Sequence, residues 1–430
     1  MDKILNIEIE NEIKRCFNCI NKPCSIEGCP LNNNIPEFMH AESQKEAYEI
    51  LCKTTVLPAI CGRVCPHSKQ CQGPCIHRKV DTPIKIGLLE SYIGDKSIEE
   101  NYKIPRESNE KLESKRVAVI GSGPAGLTCA AFLAKKGVKV TIYEKNEKLG
   151  GLLRYGIPDF RLDRNIIEKT IDKILELGIK VECNKELGRD YNLEELTKEY
   201  DAVFLAIGAN ESNITLEGEN VLSGNKLLED LNRVKENKKI ADLQQESSKT
   251  IPDFKGKNVV VSGGGNVAMD SARTLKRLGA NVTVIYRRSE EEMPAEVEEI
   301  QDAKNEGVKF LFQNNILNVD SENKKIECIK TELVQKEGEK RLYPVNIEGS
   351  NYELDNDYVI LATGSKSNLK LLKEQGLNTD KYGYITVDEN YKTSVDKVYA
   401  GGDLIGTKAT VAWAARSGRN AAEKIIESLL

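Results

Sequence analysis

Nine of the twelve cysteines in this chain fall within its first 75 residues: Cys16, Cys19, Cys24, Cys29, Cys52, Cys61, Cys65, Cys71 and Cys75. Thiols at such density suit iron–sulfur ligation, structural zinc or disulfide cross-links. A reducing compartment makes disulfides the poorest of these. The run Cys16-x2-Cys19-x4-Cys24-x4-Cys29, then Cys61-x3-Cys65-x5-Cys71-x3-Cys75, offers the sets of four that both clusters and zinc require. The remaining cysteines, Cys129, Cys183 and Cys328, are isolated, so no redox C-x-x-C accompanies the rest of the chain.

Two glycine-rich turns carry the other chemistry. Gly121-Ser122-Gly123-Pro124-Ala125-Gly126 directly follows the apolar run VAVI. Its first glycine permits a tight turn, its second lets backbone approach a pyrophosphate, and its third lets helix and strand pack closely. Glu144 stands 18 residues after Gly126, where a carboxylate can accept from ribose hydroxyls. Gly150-Gly151, and Gly401-Gly402-Asp403 with a helix after it, add the contacts a flavin dinucleotide needs. The second turn, Gly263-Gly264-Gly265-Asn266-Val267-Ala268, ends its βαβ unit on Arg287-Arg288 rather than on an acid. Arginine suits a 2′-phosphate, so this site is expected to hold NADP(H). The further candidate contacts are Leu152, Gly208, Gly364, Thr410 and Val411.

Flavin first and nicotinamide second describe a flavin-dependent pyridine-nucleotide oxidoreductase. Hydride transfer between cofactors needs no side-chain acid or base, so no catalytic residue is expected. A flavin that must release electrons singly favours iron–sulfur clusters over zinc.

The elements that must position these residues are legible in outline. VAVI…VTIYE and VVVS…VTVIY are βαβ units, one repeated from the other. AVFLAIGA (202–209), YVILATGS (358–365) and KVYAGGDLIG (397–406) supply further strands, and a helix closes the chain from Thr410 to Leu429. Ile35–Leu51 and Ile84–Ile93 carry helical spacing, residues 101–115 read as a linker, and Lys235–Phe254 as a polar excursion. With 430 residues, 40% apolar and 30% charged, the chain is globular and of several domains. A net charge of −5 argues against nucleic acid and anionic membranes as partners. No run of 18 apolar residues and no signal-like N-terminus exist, so a cytoplasmic location is expected.

The segments CFNCINKPCSIEGCP, LPAICGRVCPHSKQCQGPC, PIKIGLLESYIGD, VAVIGSGPAGL, GGLLRYGIPDFRL, GGGNVAMDSART, VIYRRSEEEMPA and YAGGDLIG together resemble one family. It is that of the NADPH-dependent glutamate synthase small subunit. Its relatives are the N-terminal half or flavin subunit of dihydropyrimidine dehydrogenases and the large subunit of NADH-dependent ferredoxin:NADP oxidoreductase. The resemblance implies FAD, NADPH and two 4Fe–4S clusters. It implies Cys16, Cys19, Cys24 and Cys75 as ligands of one cluster, Cys29, Cys65 and Cys71 as ligands of the other, and Tyr155 and Ile157 in a segment that runs along the flavin. Glu90 is implied as the oxygen ligand completing the second, with Cys52 and Cys61 as buried free thiols. Asn266 departs from the usual Asp of glutamate-synthase members, and Cys24-x4-Cys29 is one residue longer than usual.

The expected fold is therefore α/β: a helical iron–sulfur domain (1–105), then an FAD domain (116–225 and 366–430) interrupted by an NADP(H) domain (226–365). No segment is left over for amide or pyrimidine chemistry. A separate catalytic subunit or a ferredoxin-type acceptor is the expected partner, with a self-standing NAD(P)H:acceptor oxidoreductase as the alternative.

Overall fold

The computed structural model describes residues 2–209, 211–237, 251–335 and 342–430. Most of the expected excursion Lys235–Phe254 lies outside the described residues. The chain forms two compact units, Met1–Arg154 with Asp159–Ala209 and Ser367–Leu430, and Tyr155–Pro158 with Asn210–Lys366.

The first unit is built on a five-stranded sheet in the order Val398–Ala400, Ala202–Leu205, Arg116–Ile120, Lys139–Tyr143, Lys180–Glu182, every neighbour parallel. Val117 to Ile120 and Ala202 to Leu205 are all buried. Continuous apolar runs of this kind belong to parallel strands covered on both faces. Helix Pro124–Lys135 starts on Gly123 with proline preset for the first turn. It packs against helix Val411–Leu429 so tightly that a Cβ on Gly418 would lie 2.1 Å from the Ala125 carbonyl oxygen. Leu193, Leu196, Leu372 and Ile385 join Ala118 and Ile120 in the core of the other face.

The N-terminal cysteine region belongs to this same unit. Helices Asp2–Arg15 and Ile86–Glu99 have 14 residues each, whereas Ile35–Met39, Gln44–Leu51 and Pro58–Val64 are shorter, so the stretch Ile35–Leu51 forms two helices. Two of them cross at glycines: a Cβ on Gly62 would meet Ser91 N at 2.3 Å, and one on Gly94 would meet Ala59 N at 2.3 Å. The expected linker 101–115 is not a free tether. Ile104 and Leu112 are buried, and Glu107 and Asn109 donate their N–H groups to the carbonyls of Lys135 and Lys136.

The second unit has its own parallel sheet, Val221–Ser223, Tyr358–Leu361, Asn258–Ser262, Asn281–Tyr286, Lys309–Phe312. Helices Asn266–Arg277 and Val297–Asn305 carry Met269, Ala272, Leu275, Ile300 and Ala303 into a core with Val259, Val261, Val282 and Val284. Antiparallel strands Asn314–Asp320 and Lys325–Val334 bury Ile316, Val319, Ile326 and Cys328 against Val260 and Ile285. The chain enters this unit at Asn210 and leaves at Lys366, where Glu211–Ser212 pairs with Ser365–Lys366. The compact division thus falls at 209/210 rather than at the expected 225/226, because Val221–Ser223 is a strand of the second sheet.

Candidate functional site

In the first unit the parallel strands all end at one edge, and the candidate flavin contacts follow them. Gly121 adopts φ +96°, and a Cβ there would lie 2.5 Å from the Ala206 carbonyl oxygen. Gly126 lies so close to the strand that a Cβ would sit 1.9 Å from the Gly121 oxygen. Gly123 differs: nothing lies within 4 Å of a Cβ built there. The first and third glycines therefore serve packing, whereas the second faces open space at a helix N-terminus.

A buried hydrogen-bond net shapes that space. Ser122 N (3.0 Å) and Ser122 Oγ donate to Glu144 Oε2, and Asn146 N donates to Oε1 at 2.9 Å. Ser122 Oγ accepts from Gly150 N at 3.0 Å. A carboxylate has about four lone-pair positions, so Glu144 retains acceptor capacity. Gly151 lies against Gly123, where its Cβ would be 2.9 Å from the Gly123 Cα. Gly402 N donates to Ser417 Oγ at 2.7 Å, and a Cβ on Gly402 would be 3.1 Å from that of Ala125. Burial pushes the Asp403 carboxyl above its ordinary range, opposed by Thr407, whose hydroxyl donates to it at 3.1 Å. Thr410 caps helix Val411–Leu429 by accepting from Trp413 N. Gly208, at φ +72°, follows the strand Ala202–Leu205, and Leu152 is 44% exposed. This cradle of glycines and helix N-termini fits a dinucleotide pyrophosphate and its ribose.

Tyr155 and Ile157 fall in the second unit, where Asn232 Nδ2 donates to the Tyr155 carbonyl at 2.9 Å. The Arg233 guanidinium lies over the Tyr155 ring.

The cysteines separate into two groups. Cys16, Cys19, Cys24 and Cys75 line one cavity with Pro23, Ile35, Met39 and His77. Cys29, Cys65 and Cys71 gather around Glu90, each near enough for the carboxylate to act on its thiol. Cys61, buried beside Cys65, joins this second group; Cys52 is buried near Tyr48. Burial pushes the Cys24 thiol up to about 11 and Cys29 to about 12. It also raises the Glu90 carboxyl to about 8, opposed by Asn33, whose Nδ2 donates to Oε1 at 3.1 Å. Soft thiol donors, the first group beside Pro23, Ile35 and Met39 and the second beside the Glu90 carboxylate, have the chemistry of 4Fe–4S ligands, whose iron would draw the protons off.

The C-terminal helix links this region to the flavin cradle. Gln70, one residue before Cys71, donates to Thr410 Oγ1 at 3.4 Å. Arg419 Nη1 donates to the carbonyls of Leu31 at 2.7 Å and Thr54 at 3.2 Å. Burial lowers the Arg419 proton affinity, opposed by Glu423. Sequence reasoning missed Gln70, Asn33 and Arg419. Arginine on an amphipathic helix reads as a solvated face, and no motif marks the other two.

In the second unit the equivalent turn is also closely packed. A Cβ on Gly264 would lie 2.6 Å from the Tyr286 ring, and Gly263 has φ +141°. Gly265 begins the helix that carries Asn266 and Val267, and a Cβ on it would meet only Pro294, at 3.8 Å. A Cβ on Gly364 would meet nothing within 4 Å. Arg287 is exposed, whereas Arg288 is 8% exposed. Arg288 Nε and Asn266 Oδ1 are buried without a hydrogen-bond partner. An unmatched buried guanidinium donor two residues after Tyr286, whose ring packs on Gly264, fits an anionic ligand.

Residues 115–418 match the pyridine nucleotide-disulphide oxidoreductase family, and residues 2–102 match the domain described as dihydropyrimidine dehydrogenase domain II, 4Fe–4S cluster. The NADPH glutamate synthase small chain of Escherichia coli (strain K12) is 35% identical over 429 residues, covering 96% of this chain and 90% of that one. The putative oxidoreductase AegA of the same organism is 35% identical over 436 residues, and this chain spans 66% of its length. Mycobacterium tuberculosis FprA in complex with NADPH shares the fold at 19% identity, with a TM-score of 0.61 over 73% of this chain and 84% of that one. The protein is an NAD(P)H-dependent flavin oxidoreductase with an N-terminal 4Fe–4S domain. It belongs to the pyridine nucleotide-disulphide oxidoreductase family, in the group of the glutamate synthase small chain. Among the described residues no helix is long and apolar enough to cross a membrane.

Proposed function

We propose that this chain is an electron-entry subunit that takes electrons from NADPH and delivers them, through FAD and two 4Fe–4S clusters, to a separate catalytic partner. When bound, the nicotinamide supplies hydride, the flavin accepts it, and the clusters carry single electrons. The protein's own residues bind and orient. Gly123, Gly151 and Gly402 leave room for the dinucleotide, and Glu144 presents a carboxylate to its ribose. Arg287 and Arg288 read the 2′-phosphate. Cys29, Cys65, Cys71 and Glu90 hold one cluster, and Cys16, Cys19, Cys24 and Cys75 hold the other.

One observation carries the reading: Cys65 and Cys71 are buried, Cys29 is partly exposed, and Cys16, Cys19, Cys24 and Cys75 are all partly exposed. Around these last four Phe17, Ile20 and Ile26 are 54%, 99% and 66% exposed. A half-exposed site with an apolar rim suits transfer to a protein acceptor. The test is made on anaerobically purified chain. It should hold about eight iron atoms, two cubanes, and reduce an artificial one-electron acceptor with NADPH. Iron for a single cluster, or no acceptor reduction by the loaded protein, would refute it.

A further inference from the structure

Arg419 is 9% exposed, yet its counter-charge is poor. Its guanidinium donates to two carbonyls, Leu31 O and Thr54 O, and contacts Asn420 Oδ1 at 3.2 Å. The one carboxylate within 4 Å among the described residues is Glu423, at 3.8 Å and 57% exposed. Taking a full charge out of water costs several kcal/mol unless an opposite charge offsets it. Carbonyl dipoles orient such a charge without neutralising it. The carbonyl it grips most closely, Leu31, lies two residues beyond Cys29, and the Cys29 thiol is near enough to act on the guanidinium. A cubane held by three thiolates and a carboxylate is net anionic, and more so when reduced.

We infer that Arg419 is the buried counter-ion of the cluster held by Cys29, Cys65, Cys71 and Glu90, and that it raises the reduction potential of that cluster. This rests on the two-cluster reading. Arg419 is a positioning residue: it touches neither substrate nor the reacting atoms. It acts from the helix whose first turn, at Thr410, borders the flavin cradle. One rigid element therefore fixes both the cradle and the charge beside the buried cluster.

The experiment is an EPR-monitored redox titration of the loaded protein. In Arg419→Gln the midpoint of one cluster signal should fall, changing its reduced-to-oxidised ratio at a fixed potential about tenfold, ~59 mV for one electron. The other signal should stay in place. Arg419→Lys keeps the charge and should recover at least half of the shift. Asn420→Asp changes a single side-chain group and sets a carboxylate on the guanidinium, so the same signal should fall. That variant decides the matter if Arg419→Gln does not retain its iron. Unmoved midpoints in Arg419→Gln, or in Asn420→Asp, overturn the inference. So does a fall in Arg419→Lys as large as in Arg419→Gln, which would assign the effect to hydrogen bonding alone. A wild-type protein with one cluster signal would instead refute the two-cluster reading.

Discussion

Asn33 Nδ2 donates to Glu90 Oε1 at 3.1 Å, and Asn33 Oδ1 accepts from Thr54 Oγ1 at 2.7 Å. Glu90 is 5% exposed in the second turn of helix Ile86–Glu99 and forms no ion pair among the described residues. Glu90 is thus buried close to Cys29, Cys65 and Cys71, and Asn33 fixes its orientation.

Glu90 and Cys61 are therefore to be separated by experiment. Glu90→Ala should lose or alter one cluster signal, and Glu90→Gln, which keeps an oxygen donor, should retain iron with a changed spectrum. Cys61→Ala should leave both signals in place. Iron content and EPR of the reduced protein measure this. A cluster lost in Cys61→Ala but kept in Glu90→Ala would show that thiol counting was right.

The first glycine turn separates two kinds of failure. Gly123→Ala introduces a methyl into open space, so the chain should fold with unchanged secondary structure and bind FAD at least tenfold more weakly. Gly126→Ala forces a methyl onto the Gly121 carbonyl, and the strand–helix unit should lose at least 1–3 kcal/mol of stability. Flavin content and circular dichroism of the two variants check it. Equal flavin binding by Gly123→Ala and wild type would remove the assignment of that space.

NADPH should be preferred over NADH. Each charge-assisted hydrogen bond from Arg287 or Arg288 to the 2′-phosphate is worth about 1.5–3 kcal/mol, some tenfold to a hundredfold in affinity. Arg288, buried with its Nε unmatched, should carry the larger share. The ratio of kcat/KM for the two nucleotides, in wild type and in Arg287→Ala and Arg288→Ala, measures this. An unchanged ratio in the double variant would sink it.

The chain alone should reduce dyes with NADPH and should not form glutamate from glutamine and 2-oxoglutarate. Its motifs serve electron entry and relay, and none serves amide chemistry. Product analysis with the purified single chain checks this, and unaided glutamate formation would be the contrary result.

The glycine turns, their strands and the cysteine spacing were legible because each is local. A strand, a tight turn and a helix follow one another within about 30 residues, and a turn that needs glycine declares itself in the residue type. The antiparallel strands Asn314–Asp320 and Lys325–Val334 were not legible, since short strands signal weakly without knowledge of the face they cover. The boundary at 209/210 was missed for the same reason: Val221–Ser223 becomes a strand only by pairing with Tyr358–Leu361. At the site, cysteine type and spacing pointed to metal ligation, and the family resemblance supplied the expected ligand sets with Glu90. Only the tertiary structure buried Cys65 and Cys71 while leaving Cys16, Cys19, Cys24 and Cys75 partly exposed. It also turned Asn33 onto Glu90 and carried Arg419 across nearly 390 positions of sequence to Leu31. Burial and long-range pairing are properties of the packed chain, and the energy of a buried charge depends on what surrounds it rather than on its neighbours in sequence.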